Sequence, residues 1–185
     1  MSYAHLAIRA QSQLLVIDVQ EKLAAAMEAN AMLSLVRNCS ILLQAAQLLE
    51  IPVTYTEQYP QGLGSTLHNL SKLTPDAAHI EKVAFSAQAV PEFRQSLDVA
   101  RQQIILTGME AHICVLQTAL DMQQQGYQVI LAEDAVLSRN PLNKDNAIHR
   151  LRQAGIMVSN TESIVFEWLG VAEGETFKAI SRLVR

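Results

Sequence analysis

Asp18, Lys82 and Cys114 carry side chains that, brought together, perform nucleophilic chemistry. Each closes or follows an apolar run, in "LLVID", "IEK" and "IILTGMEAHIC". A free thiol has a pKa of about 8.5 and is mostly protonated at neutral pH. A helix start and a nearby ammonium both favour the thiolate. Cys114 falls in the first turn of a predicted helix, and Lys82 supplies the ammonium. Asp18 then takes the thiol proton and returns it to a leaving amine. The backbone N–H groups from Glu110 to Cys114 lie at the same helix start, where amides lack intrahelical acceptors and suit a developing oxyanion. Spacing alone does not establish a triad. An Asp after a strand also caps turns, most lysines are solvated, and a lone cysteine often packs in a core.

The elements that must position these residues follow from the hydrophobic pattern. Leu14 to Ile17 is a short apolar run ended by Asp18, which fits a strand buried on both faces. A helical pattern runs from Lys22 to Glu50 with a break at "EANAML". "IPVTYT" reads as the second strand, and a long irregular stretch follows, with two prolines and two glycines. "IEKVAFSA" reads as a weak third strand ending near Phe85, and "VPEFRQSLDVAR" as a helix with Pro91 in its first turn. "QQIILTG" is the fourth strand, and Ala111 to Gln125 is a helix stopped by Gly126. "YQVILAED" is the fifth strand, "NKDNAIHRLRQAG" a helix, and "IMVSN" the last strand. Two short helices close the chain. Strand–helix alternation predicts an α/β fold with a mostly parallel sheet and ligands outside the carboxyl ends of its strands.

At 185 residues, half of them hydrophobic, the chain fits one domain spanning residues 1–185. The net charge of −4, with 14 Lys plus Arg and no basic run, argues against nucleic-acid binding. Two cysteines suggest no disulfide framework, and Cys39 reads as a buried, inert thiol within a helix. "MSYAHLAIRAQSQ" lacks the signature of a secretory signal, and no apolar stretch reaches membrane-spanning length. The expectation is a cytoplasmic protein. No GxGxxG follows the first strand and no GxxxxGK[ST] occurs, so dinucleotide and nucleoside triphosphate cofactors are not expected.

Five stretches, "LLVIDVQEKL", "TEQYPQGLGST", "EKVAFSA", "GMEAHICVLQTALDMQQQGYQV" and "EDAVLSR", resemble the isochorismatase-like cysteine hydrolases. The likeness is greatest to the isochorismatase domain-containing subgroup, and it spans about residue 11 to about residue 169. It implies a Rossmann-like three-layer α/β/α sandwich around a central, mostly parallel, six-stranded sheet. It also implies a catalytic triad of Asp18, Lys82 and Cys114. A cis peptide between Met109 and Glu110 is implied as well, aiming the Glu110 and Cys114 amides at a substrate carbonyl. Gln58, Tyr59, Leu63, Phe85 and His112 are the expected pocket residues. Asp134, Ser138 and Arg139 match a family stretch expected to brace the catalytic turn. Nicotinamidases of the superfamily hold a metal through Asp-x-His. Here "TYTEQYPQGLG" has none, Glu57 has no partner His nearby, and His68 lies well down the loop, so no metal is expected.

A full Asp, Lys and Cys set favours acyl transfer through a Cys114 thioester, with a small amide-like substrate. Isochorismatase-type enol-ether hydrolysis is the alternative, and a silent binding protein of the same fold is a third reading. Apolar side chains in "VFEWLGV" and "FKAISRLV" exceed what closing the sheet requires, and a homo-oligomer is expected.

Overall fold

The structure, a computed structural model, describes residues 5–185. The first four residues, part of the stretch read as lacking a secretory signal, lie outside the described residues. Six parallel strands form one sheet in the order β3-β2-β1-β4-β5-β6. They are β1 (Ser12–Ile17), β2 (Val53–Gln58), β3 (Ala78–Lys82), β4 (Gln103–Met109), β5 (Gln128–Leu137) and β6 (Met157–Ser159). The three-layer α/β/α expectation holds. The central strands β1 and β4 are buried along their whole length, as their unbroken apolar runs require.

Side chains alternate between two cores. Leu14 and Val16 face one with Ile105, while Leu15 and Ile17 face the other with Ile104 and Leu106. The first core is covered by α2 (Ala29–Leu48), α8 (Thr161–Leu169) and α9 (Gly174–Leu183). The second is covered by α5 (Pro91–Ser96), α6 (Leu116–Gln124) and α7 (Pro141–Gln153).

Several boundaries differ from the sequence reading. The break at "EANAML" separates α1 (Glu21–Ala25) from α2, because the Glu28 carboxylate caps α2 by accepting from the Asn30 and Ala31 amides. The irregular stretch after β2 holds two one-turn helices, α3 (Pro60–Leu63) and α4 (His68–Ser71). β3 ends at Lys82 rather than near Phe85. The Lys82 ammonium bonds the Ala84 and Phe85 carbonyls and turns the chain out of the sheet. α5 stops at Ser96, short of the predicted end, and β5 continues past Asp134 to Leu137.

The sheet order reverses direction between β1 and β4, and the crevice at such a switch point is where parallel sheets bind ligands. Gly108 makes this crevice tight. It pairs with Ile17 at φ +118, and a Cβ there would lie 2.0 Å from the Ile17 carbonyl oxygen. Only glycine lets β4 press against the end of β1 in this way.

Candidate active site

Asp18 is the first residue beyond β1 and adopts the left-handed conformation, φ 49, with its amide still bonded to the Thr56 carbonyl at 3.1 Å. Asp tolerates this region better than most residues. The turn directs a fully buried carboxylate into the crevice. One oxygen accepts from Thr56 Oγ1 at 2.6 Å, and the other accepts from Lys82 Nζ at 2.6 Å. Both side chains of this ion pair are excluded from solvent. Lys82 donates further to Gln58 Oε1 at 2.9 Å and to the Ala84 and Phe85 carbonyls. A buried ammonium surrounded by four oxygens is compensated on every side.

Cys114 enters from the other side of the switch point. After β4, the Met109–Glu110 peptide is cis. Residues Ala111–Val115 then form a π-helical turn that runs into α6. The Glu110 carbonyl accepts from both Ile113 and Val115, the second bond having the wide π spacing. The helix predicted from Ala111 therefore begins as a π turn, and Cys114 lies inside it, 6% exposed. The charged groups acting on its thiol are Asp18 and Lys82.

The electrostatics correct one expectation. Sequence reading favoured a resting thiolate, but the Cys114 thiol is pushed up to about 12, first by burial and then by the Asp18 carboxylate. Lys82 opposes both effects without cancelling them. The physical reason is geometric. The lysine charge is already matched by Asp18 at 2.6 Å, so little of its field is left for the sulfur. The resting pair is thus a thiol beside a carboxylate.

The turn is braced from β5 and α7. The Arg139 amide and Nε donate to the Glu110 carboxylate at 3.0 and 3.1 Å. His112 Nδ1 meets Ser138 Oγ at 2.9 Å, and Asn143 Nδ2 meets its Nε2 at 3.4 Å. Both His112 ring nitrogens are thereby engaged by the β5–α7 junction, which gives this expected pocket residue a bracing role. Asp134 is within β5 and caps α8 through the Thr161 amide and hydroxyl, each at 2.8 Å.

Other expected pocket residues are spread over the rim. Gln58 is not at the mouth alone, since its side chain bridges Lys82 and the Val83 carbonyl. Tyr59, φ 37, lays its ring against Gly62, where a Cβ would lie 2.3 Å from the ring. With Pro60, Gln61, Glu81, Lys82 and Val83 it lines a groove of about 210 Å³. Leu63 ends α3, half-buried, and Phe85 is half-exposed beyond Lys82. Two other concavities, one between α2 and residues 73–77 and one at the amino ends of β5 and β6, contain none of Asp18, Lys82 and Cys114.

Sequence reasoning missed Thr56 and Gln20. Buried Gln20 bonds the Gln58 amide and carbonyl and the Gly64 carbonyl, fixing the loop over the site. A signal existed for Thr56, because "TYTEQ" places Thr54, Thr56 and Gln58 at period two on one strand face. Glu57 also departs from expectation. It meets His79 Nε2 at 3.0 Å across the β2–β3 pair and accepts from the Thr66 amide at 2.6 Å. Among the described residues no cluster of three or more His, Cys, Asp or Glu could hold a metal. Among the same residues no helix is long and apolar enough to cross a membrane.

Comparison with known proteins gives the family. The isochorismatase domain model matches residues 12–163. The chain is 38% identical over 178 residues to isochorismatase domain-containing protein 2 of Bos taurus, covering 94% of this chain and 83% of that one. It is 37% identical over 158 residues to the secreted isochorismatase effector Isc1 of Phytophthora sojae (strain P6497), covering 82% and 75%. Among solved structures, the MAR1 ribonuclease from Caenorhabditis elegans superposes with a TM-score of 0.90 at 32% identity, covering 97% and 92% of the two chains. With the family model matched from β1 into α8 and the sheet order intact, this chain belongs to the isochorismatase family and has its hydrolase fold.

Proposed function

We propose that the protein hydrolyses a small amide-like substrate through a thioester on Cys114. The observation that carries this reading is the buried Asp18–Lys82 pair acting on a thiol that is otherwise protonated. The sulfur attacks the carbonyl carbon while its proton passes to Asp18. The tetrahedral oxyanion is held by amides of the turn from Glu110 to Cys114. The C–N bond breaks, the amine leaves with the proton from Asp18, and a thioester remains. Water then attacks with Asp18 again as base, the carboxylic acid departs, and the thiol is restored. Lys82 orients the carboxylate and offsets its charge throughout.

The enol-ether alternative needs cationic groups for two carboxylates. The rim supplies Arg139, whose Nε is engaged by Glu110, and the Lys82 ammonium is engaged by Asp18. The reading includes no nucleic acid and no metal, and it places the protein in the cytoplasm, where thiols stay reduced. One relative is described as secreted and one similar structure as a ribonuclease, so RNA belongs among the substrates screened. Homo-oligomerisation is part of the same reading, supported by exposed apolar side chains including Val83, Phe85, Leu142 and Val171. A monomer in light scattering at micromolar concentration would remove that part.

The test is a screen of small amides, with RNA and an enol ether included, using wild type and Cys114→Ala. Turnover of an amide, with an acyl adduct on Cys114 seen by mass spectrometry and no turnover by the variant, is the expected result. Enol-ether cleavage without an adduct, or amide turnover surviving in Cys114→Ala, would overturn the thioester.

A further inference from the structure

We infer that the Ser86 hydroxyl is a substrate-recognition group of the Cys114 site, selecting molecules with a hydrogen-bonding group beside the reacting carbon. This rests on the reading of Cys114 as nucleophile. Among the described residues, three buried side-chain polar atoms lack a hydrogen-bond partner: Thr66 Oγ1, Ser86 Oγ and Gln88 Oε1. All three lie in the loops that follow β2 and β3, at the carboxyl ends where the site is built. Buried hydroxyls are nearly always paired, so each orphan needs a reason.

Ser86 is the one whose neighbours lead to the reacting groups. The residue before it, Phe85, gives its carbonyl to the Lys82 ammonium at 3.1 Å. The residue after it, Ala87, gives its amide to Thr118 Oγ1 at 3.0 Å. Thr118 lies one helical turn beyond Cys114. The backbone at Ser86 is therefore pinned between the cation and the helix that carries the thiol. Its side chain also leaves its default partner unused. Ser86 is the N-cap of the 3₁₀ turn Ala87–Ala89, a position where serine ordinarily bonds a first-turn amide, yet it makes no such bond. A buried hydroxyl on a backbone pinned at both sides, with no partner in the fold, is left to pair with a bound molecule. An amide substrate carries both a donor and an acceptor of the right kind.

The experiment compares two alkylating reagents on wild type and Ser86→Ala at one pH. Iodoacetamide carries a carboxamide beside its electrophilic carbon, and iodoethane has the same leaving group without it. Labelling of Cys114 is followed by peptide mass spectrometry. The variant should lose about tenfold in labelling by iodoacetamide relative to iodoethane, the worth of one hydrogen bond. Any change in thiol acidity cancels in that ratio. The thermal midpoint of Ser86→Ala should be equal to or above that of wild type, because an unpaired buried hydroxyl is removed. An unchanged reagent ratio overturns the inference, as does a lowered midpoint or failure to fold, since the hydroxyl then serves the resting structure. If wild-type Cys114 reacts with neither reagent faster than Cys39, the nucleophile reading fails first and Ser86 falls with it.

Discussion

Cys39 and Cys114 are the two thiols of the chain, and they pack on opposite faces of one sheet. Both are pushed up to about 12, and burial is the first cause for each. The surroundings then diverge. Cys39 sits in α2 against the neutral Thr107 hydroxyl at 3.0 Å, and the acidic group acting on it, Asp134, already holds the start of α8. Cys114 faces a carboxylate whose two oxygens are fixed by Thr56 and Lys82. A raised thiol pKa is thus common to an inert core residue and to a reactive candidate. What separates them is a positioned acceptor for the proton, not the acidity of the sulfur at rest.

Deleting one thiol and then the other should separate the two regions most widely. Cys114→Ala should lower amide turnover by about 10⁴-fold or more, as loss of a nucleophile does, while Cys39→Ala keeps the rate. Comparable losses in both would collapse the distinction. Asp18→Asn should give effects of opposite sign. Turnover should fall by about 10²–10⁴-fold with the base gone. Alkylation of Cys114 near about pH 9 should accelerate, because the carboxylate that raises its pKa is removed. Both measurements can be made on one preparation, and slower alkylation would contradict the electrostatic assignment.

Lys82→Ala should act in the other direction on the thiol, moving the Cys114 alkylation profile to higher pH. It should also lower unfolding free energy by about 3–5 kcal/mol in urea titrations, since it strands a buried carboxylate. Lys82→Arg should rescue neither fully, because a planar fork does not fit a compact ammonium's place. By contrast, breaking the exposed Arg9–Glu50 pair should change stability by about 0–1 kcal/mol. A further effect concerns pH. Both thiols have folded pKa values raised above the unfolded value of about 8.5, so folding binds their protons more tightly. Their contribution is full below about 8.5, declines as pH rises, and is lost as pH passes about 12. Urea unfolding across this range should show the decline, and Cys39→Ala should flatten part of it.

The sheet, its strand–helix alternation and the residues at the strand ends were legible in the sequence because each depends on local periodicity. Asp18 and Cys114 announce themselves by following strongly apolar runs. Gln20, Thr56 and the Glu57–His79 contact were not legible in the same way. Their roles depend on which strands lie side by side and in what register, and Gln58 faces Lys82 only because β2 pairs with β3. The π turn at Ala111–Val115 was also hidden, since one residue's shift in helical hydrogen bonding leaves little trace in a hydrophobic pattern. The direction of the Cys114 shift was misread for a related reason. The sequence names the ammonium and the carboxylate but not the 2.6 Å contact through which one neutralises the other.

Lys82 closes β3, and β3 is the strand at one border of the sheet, paired with β2 alone. Border strands open by partial unfolding at lower free-energy cost than the middle of a sheet does. Trp168, by contrast, is anchored to Ser12 at the base of β1 by a 3.0 Å hydrogen bond and reports on the centre. Opening of β3 alone would therefore separate Lys82 from Asp18 while leaving the tryptophan contact at the centre native.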